Sequence, residues 1–276
     1  VNLFAWGLFG AFVGTYGTLV GAGGGFLMVP ALLWIAQVPP EVAAGTSLVV
    51  VLFNAGSGTW AYARRKLVDW RTALIFAAAT VPGSLLGPWL LRFVPQKAFL
   101  ISFGILMLAV SALLILRPKE PRPVLHLNPM DYGPPGYRAV RQLTDAEGHT
   151  YRIHYNVPAG VALSFIVGFL SSMLGIGGGV IHVPAMIYAL GFPAHLAVAT
   201  SHATLAASAG VSVLSHARLE HILWPTALAA GAGALVGAQA GAALSRRVKA
   251  VGLLRALALA VALVGLRCLW MGFFRP

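Results

Sequence analysis

The stretch Gly21-Ala22-Gly23-Gly24-Gly25-Phe26-Leu27-Met28-Val29-Pro30 returns 154 positions later as Gly175-Ile176-Gly177-Gly178-Gly179-Val180-Ile181-His182-Val183-Pro184. Glycine at this density inside apolar sequence interrupts a helix, because glycine loses the most backbone freedom when held helical. Broken backbone inside a bilayer is tolerated only where it is buried in protein or lines a watery cavity. The restart of a helix after such a break leaves N–H groups without intrahelical partners, and the helix dipole favours negative charge there. Pro30 and Pro184 stand too deep in the restarted helices to be first-turn prolines, so each is expected to kink its helix.

Working outward, the same shift superimposes the sequence without a gap from about Gly7 to Leu116. Gly14 falls on Gly168, Pro39 on Pro193, Thr46-Ser47 on Thr200-Ser201, Gly56 on Gly210, Arg64 on Arg218 and Trp70 on Trp224. The chain is a duplication. Apolar segments near 3–20, 24–36, 43–62, 73–92 and 98–116 recur near 157–174, 178–190, 197–215, 224–244 and 250–272. Most match the roughly 20 residues that a helix needs to cross the bilayer, whereas the second segment of each half is short. The expected fold is an all-α polytopic membrane protein of two homologous five-segment repeats, each with a Gly-rich break and a short helix. The division is a first membrane repeat at 1–116, a soluble linker at 117–158 and a second repeat at 159–276.

Composition agrees. The 276 residues are 58% hydrophobic and only 9% charged, with a mean hydropathy of +0.82. A soluble domain is roughly 45 to 50% apolar, so a water-soluble fold is excluded. The net charge of +12 sits mostly in short loops between apolar runs, where it sets orientation. It is read as topology, with no nucleic-acid partner. With Arg64, Arg65, Lys66 and Arg71 inside, the linker and Arg246, Arg247 and Lys249 lie inside as well. Arg92, Lys97, Arg218 and Arg275 are then left outside. This arrangement requires inverted repeats, and charge favours it over parallel repeats by a narrow margin. The short paired segments point the same way, since inverted repeats with interrupted helices are common in transporters. The first apolar run lacks a basic leader and a small-residue cleavage site, so it is expected to stay as a membrane segment.

In the linker, prolines from Pro118 to Pro135 break the apolar pattern. Tyr137–Leu143 and Thr150–Asn156 then alternate around Asp145-Ala146-Glu147-Gly148, the pattern of a β-hairpin. A structured cytoplasmic linker is the simplest role for it.

The candidate substrate site gathers Gly23, Gly24 and Gly25 with Gly177, Gly178 and Gly179, two helix restarts converging near the midplane. Packing alone is the competing explanation for glycine in membranes, but three consecutive glycines at matched positions exceed what packing requires. Thr46, Ser47, Thr200 and Ser201 add hydroxyls that can bond an oxyanion without fixing a charge, although bonding their own helix is the commoner role. Asn54, two turns beyond Thr46-Ser47, has Ser208 as its counterpart and is a weaker candidate. His182 and His202 stand beside the second break as candidate ligand contacts.

With His195 and His216 they also raise the alternative of a membrane-embedded metal enzyme. Spacing argues against it, since seven residues from His195 to His202 is about 10.5 Å of helix and no Asp or Glu lies in a membrane segment. No metal or other cofactor is expected. Cys268, the only cysteine, permits neither an intrachain disulfide nor a cysteine cluster. The lack of intramembrane carboxylates disfavours a carboxylate proton relay, and nothing resembles an ATP-binding loop. A monoanion leaving a negative interior gains about 2.3 kcal/mol per 100 mV. A passive anion channel is the remaining alternative, and the partners expected are a small anion, the lipid bilayer and possible further copies of the chain.

Paired Gly-x-Gly-Gly-Gly segments followed by Pro30 and Pro184, with Thr46-Ser47 and Thr200-Ser201, resemble the TauE/SafE family of sulfite and organosulfonate exporters. The resemblance covers both halves. It implies a multi-pass transporter of a bacterial or archaeal inner membrane, moving sulfite, a sulfonate such as sulfoacetate, or a related small sulfur-containing anion. The linker is longer than the family leads one to expect, which leaves a regulatory or assembly role open.

Overall fold

The computed structural model describes residues 2–116, 138–245 and 250–274. Pro118 to Pro135, Tyr137, Arg246, Arg247, Lys249 and Arg275, to which the sequence reading assigned linker or topological roles, lie outside them. The first half contains α1 (Leu3–Val20), the short α2 (Gly25–Ala31) with a π-helical extension (Leu32–Ala36), α3 (Pro40–Arg64), α4 (Trp70–Leu91) and α5 (Gln96–Leu116). After strands β1 (Arg138–Thr144) and β2 (Thr150–Asn156) come α6 (Val157–Leu174), the short α7 (Gly179–Tyr188), α8 (Ala194–Arg218), α9 (Trp224–Leu244) and α10 (Ala250–Phe274). Among the described residues eight helices are long and apolar enough to cross a membrane, and the two short ones are α2 with its extension and α7. The protein is a polytopic all-α membrane protein.

Local chemistry sets the helix limits. Asn2, Asp69 and Asn156 each accept a backbone N–H of the first turn they precede, capping α1, α4 and α6. Gly21 and Gly175 end α1 and α6 in the left-handed region, at φ 81° and 70°, where a residue without a Cβ is not strained. The π-helical turn begins two residues after Pro30, a local irregularity of the kind that proline induces.

The halves interlock. α1 packs beside α9, and α6 beside α4, through small residues that bring backbones close: Gly10 and Gly14 meet Ala230 and Ala234, while Gly168 meets Thr80. α5 and α10 occupy matching places in the two halves. Gly272 abuts Ile101, Gly104 abuts Gly265 and Leu269, and the Ser111 hydroxyl donates to the Ala258 carbonyl at 2.8 Å. As the α5 numbers rise the α10 numbers fall, so these two helices run antiparallel.

The hairpin is antiparallel, with Arg138 opposite Asn156 and Thr144 opposite Thr150. It docks where α4 begins. Arg141 places Nε and Nη2 within 3.0–3.3 Å of the Asp69 carboxylate, Thr72 Oγ1 donates to Asp69 at 2.6 Å and also lies 2.8 Å from the Tyr155 hydroxyl. The Ala146 N–H donates to the Arg65 carbonyl at 3.2 Å. Burial pushes the Asp69 carboxyl up, but the hydrogen bonds from Arg141 and Thr72 outweigh it and hold the group below the usual carboxylate range. A carboxyl whose folded pKa is depressed contributes stability above its ordinary value of 3.8 and loses that contribution as the pH falls further. Arg141→Ala is therefore expected to weaken hairpin docking by about 2 kcal/mol, the scale of a charge-assisted hydrogen bond to a buried group. Faster hydrogen exchange across 138–156 at pH 7, with a smaller difference from wild type at pH 3, is the expected reading. Unchanged protection sinks this account.

Candidate functional site

The two breaks meet face to face. Gly25 lies against the Gly175 carbonyl and Ile176, and its counterpart Gly179 lies against the Gly21 carbonyl and Ala22. Leu205 packs over Gly23, while its counterpart Val51 packs over Gly177. Val13 closes on Gly24 and the matching Val167 on Gly178. Every one of these contacts is reproduced by the 154-residue shift, so the centre of the molecule is built twice. Ala22 and Ile176 are fully buried between the breaks.

Polar side chains bind the halves together at the same level. Thr46 Oγ1 accepts the Leu223 N–H at 3.0 Å, and Thr200 Oγ1 accepts the Asp69 N–H at 3.1 Å. Leu223 and Asp69 match under the shift, and each immediately precedes the third long helix of its half. Thr46 and Thr200, read from sequence as ligand contacts, thus accept the amides of the residues that cap α9 and α4. Ser47 Oγ donates to the Gly175 carbonyl at 2.8 Å, stitching α3 to the opposite break.

Open space appears beside the second break. A small cavity, about 10 Å³ for the centre of a water molecule and so roughly one water in size, is lined by Gly178, Gly179, His182 and Ser201 together with Thr80, Thr204 and Ser208. Four of the residues singled out in the sequence come together here, at the start of α7, which has no side-chain cap. No charged side chain lines it. His182 Nδ1 is 3.3 Å from Ser201 Oγ and its Nε2 is 3.3 Å from Ser164 Oγ, which itself donates to the Gly160 carbonyl at 2.7 Å. Because Ser164 has spent its proton, it accepts from His182 Nε2–H in the neutral ring. Nδ1 then takes the proton of Ser201. Phe76 meets the His182 ring edge to face at 5.5 Å and the Tyr155 ring at 5.8 Å, so the wall of the cavity rests on the hairpin.

Asn54 and His202 form a separate cluster with Thr18 and Tyr62. Thr18 Oγ1 donates to Asn54 Oδ1 at 2.7 Å, Tyr62 donates to the Thr18 carbonyl at 2.9 Å, and the His202 ring lies 5.5 Å from Tyr62. His202 Nδ1 is 3.1 Å from the Val198 carbonyl, to which it donates. Asn54 Nδ2 and His202 Nε2 are both buried without a hydrogen-bond partner. His216 binds the Ser172 carbonyl through Nε2 at 3.0 Å, the same link that its counterpart Tyr62 makes to Thr18. Among the described residues, the His, Cys, Asp and Glu side chains that bring three ligand atoms together are Asp145, Glu147 and His149 at the hairpin turn, not the membrane histidines.

Thr80, Thr204 and Ser164 were missed from sequence. Their counterparts are Ala234, Val50 and Gly10, so a search for residues kept in both halves passes over them.

Comparison with known proteins gives one consistent picture. The family model described as sulfite exporter TauE/SafE matches residues 6–268. A Bacillus subtilis protein named probable membrane transporter protein YunE is 35% identical over 272 residues, covering 96% of each chain. A probable membrane transporter protein of Xylella fastidiosa is 30% identical over 87% of this chain and 84% of its own. The Escherichia coli probable membrane transporter protein YfcA is 26% identical over 82% of this chain and 74% of its own. No solved structure matches the chain.

Proposed function

The chain belongs to the sulfite exporter TauE/SafE family of membrane transporters, and on that premise we propose that it exports a small sulfur-containing oxyanion, sulfite or a sulfonate, by alternating access. The carrying observation is the cavity beside the second break, where the start of α7, two serines, two threonines and His182 converge without a fixed charge. Hydroxyls suit an oxyanion because they can turn to donate hydrogen bonds and leave no permanent cation to hold the ligand too tightly for release. In this state Thr80, Thr204 and Ser208 donate to helix carbonyls and Ser201 to His182, so each turns from that partner to meet the anion. At about one water in volume the cavity is too small for a sulfur oxyanion, so passage requires the wall to open. The residues assigned to the substrate are Gly178, Gly179, His182 and Ser201, with Thr80, Thr204 and Ser208 completing the wall. Asn54, whose Nδ2 is a buried donor without a partner, is assigned to a second contact on the path, with His202 beside it able to donate from Nε2 only as the imidazolium. Gly23, Gly24, Gly25, Gly177, Thr46, Ser47 and Thr200 keep the two breaks in register around it.

The motion rests on inverted repeats, 1–116 and 159–276, joined by the 117–158 linker. The antiparallel run of α5 against α10, equivalent helices of the two halves, supports inversion. Rocking of one half against the other about matched breaks then exposes the cavity to each side in turn. The membrane potential drives a monoanion outward with about 2.3 kcal/mol per 100 mV.

Proteoliposomes loaded with sulfite or a short sulfonate test the reading. Efflux should exceed that of empty liposomes and quicken when the interior is made negative. If neither anion moves above the protein-free rate in either orientation of the potential, the proposal fails.

A further inference from the structure

A cavity larger than the candidate site stands apart from it, at the end of the bundle opposite the hairpin. It has a volume of about 580 Å³ and lies where the π-helical end of α2, the first turn of α5 and the C-terminal part of α10 meet. Trp34, Gln37, Lys97, Leu100 and Arg267 supply its wall.

Its chemistry is one-signed. The charged groups on the wall are Lys97 and Arg267, with no carboxylate among the lining residues. The Arg267 guanidinium stands over the Trp34 ring at 5.6 Å and over the Trp270 ring at 4.8 Å. Cation–π contact of this kind holds the guanidinium beside the two rings. Trp34 Nε1, a donor, is buried with no acceptor, a state that ordinarily costs about 1–3 kcal/mol.

The backbone adds an independent sign. Gln37 ends the α2 extension at φ 52° and ψ 39°, in the left-handed region that costs a side-chain-bearing residue about 1–2 kcal/mol. The matching position in the second half is Gly191, at φ 71°. The turn itself therefore calls for glycine, yet the first half holds a glutamine there, on the cavity wall. Strain kept at one copy of a duplicated turn marks a side chain retained for what it does. Tyr188, Gly191 and Val251 stand where the first half has Trp34, Gln37 and Lys97, so the donor set belongs to one end of the molecule only.

We propose that this cavity is a second anion site, which binds the phosphate group of an anionic phospholipid or a free phosphate-like oxyanion. Arg267 and Lys97 supply the charge, Gln37 supplies an amide N–H donor, and Trp34 holds the Arg267 guanidinium. Leu100 and the neighbouring Leu33 and Met271 give an apolar wall beside the donors, and Trp270 is placed as an interfacial tryptophan at a helix end. Both features suit a headgroup with the start of its acyl chains.

The test is thermal unfolding of the purified full-length chain in neutral detergent, with phosphatidylglycerol, phosphatidylcholine or inorganic phosphate added separately. A lipid source raises the melting temperature with phosphatidylglycerol and far less with phosphatidylcholine. A free-anion source raises it with inorganic phosphate. In either case Arg267→Ala should remove at least half of the shift, and Gln37→Gly should weaken the effective probe about tenfold, the scale of one lost hydrogen bond. Gln37→Gly also relieves the left-handed strain, so without a probe it should melt no lower than wild type, which separates a binding defect from a folding defect. No shift with any probe, or a shift that either variant retains in full, overturns the proposal.

Discussion

Alanine at position 179 is expected to abolish transport and to destabilise the folded protein by about 3 kcal/mol or more, whereas alanine at Gly56 should leave both intact. A Cβ on Gly179 would fall on the Gly21 carbonyl oxygen and come within 2.9 Å of two Ala22 backbone atoms. Overpacking against a side chain can be relieved by a new rotamer. Here the obstacle is backbone of the opposite break, and Gly21 is itself pinned in the left-handed region at φ 81°. Separating the two halves is the remaining relief, and it would pull apart the Ser47 and threonine links that cross the same plane. Gly25→Ala should behave alike, since its Cβ would meet the Gly175 carbonyl at 2.5 Å and Ile176 at 2.7 Å. At Gly56 nothing lies within 4 Å of an added Cβ, and alanine in an exposed helix interior gains about 0.5–1 kcal/mol over glycine. Size-exclusion profiles and melting curves in detergent read the stability, and proteoliposome efflux reads the transport. A Gly179→Ala protein that elutes, melts and transports like wild type removes the claim that the breaks bear on one another.

The duplication was legible because both halves carry it in primary sequence, and the breaks were legible because glycine takes the left-handed backbone of Gly21 and Gly175 without strain. The hydrogen bonds that Thr46 and Thr200 make across the halves were not. Their partners, Leu223 and Asp69, lie 177 and 131 positions away, and no local pattern distinguishes a hydroxyl that meets a distant amide from one that meets a ligand. Thr80 and Thr204 escaped for the opposite reason. Matching the halves selects what is symmetric, and the cavity is one-sided: where the second half brings His182, Thr204 and Ser208 to it, the first has Met28, Val50 and Asn54 at the equivalent places. The fold repeats because two copies must fit each other, whereas a single substrate path needs its polar wall only once.

That one-sidedness gives the second large effect, a non-additive loss of transport at His182 and Ser201. Ser201 donates to His182, His182 to Ser164 and Ser164 to the Gly160 carbonyl, so the imidazole fixes both serines at once. Removing it leaves two buried hydroxyls without their partner. His182→Ala is expected to slow efflux about a hundredfold, and Ser201→Ala about tenfold, from unmade hydrogen bonds of about 1–3 kcal/mol at roughly 1.4 kcal/mol per factor of ten. The double variant should be no slower than His182→Ala alone, because a serine whose orienting partner is already gone has little left to lose. Initial efflux rates at equal protein density, with melting temperatures to check that each variant is folded, complete the cycle. Losses that multiply to about a thousandfold would mean that the two side chains meet the anion independently, and the chain of donors from Ser201 to Gly160 would then have no part in holding it.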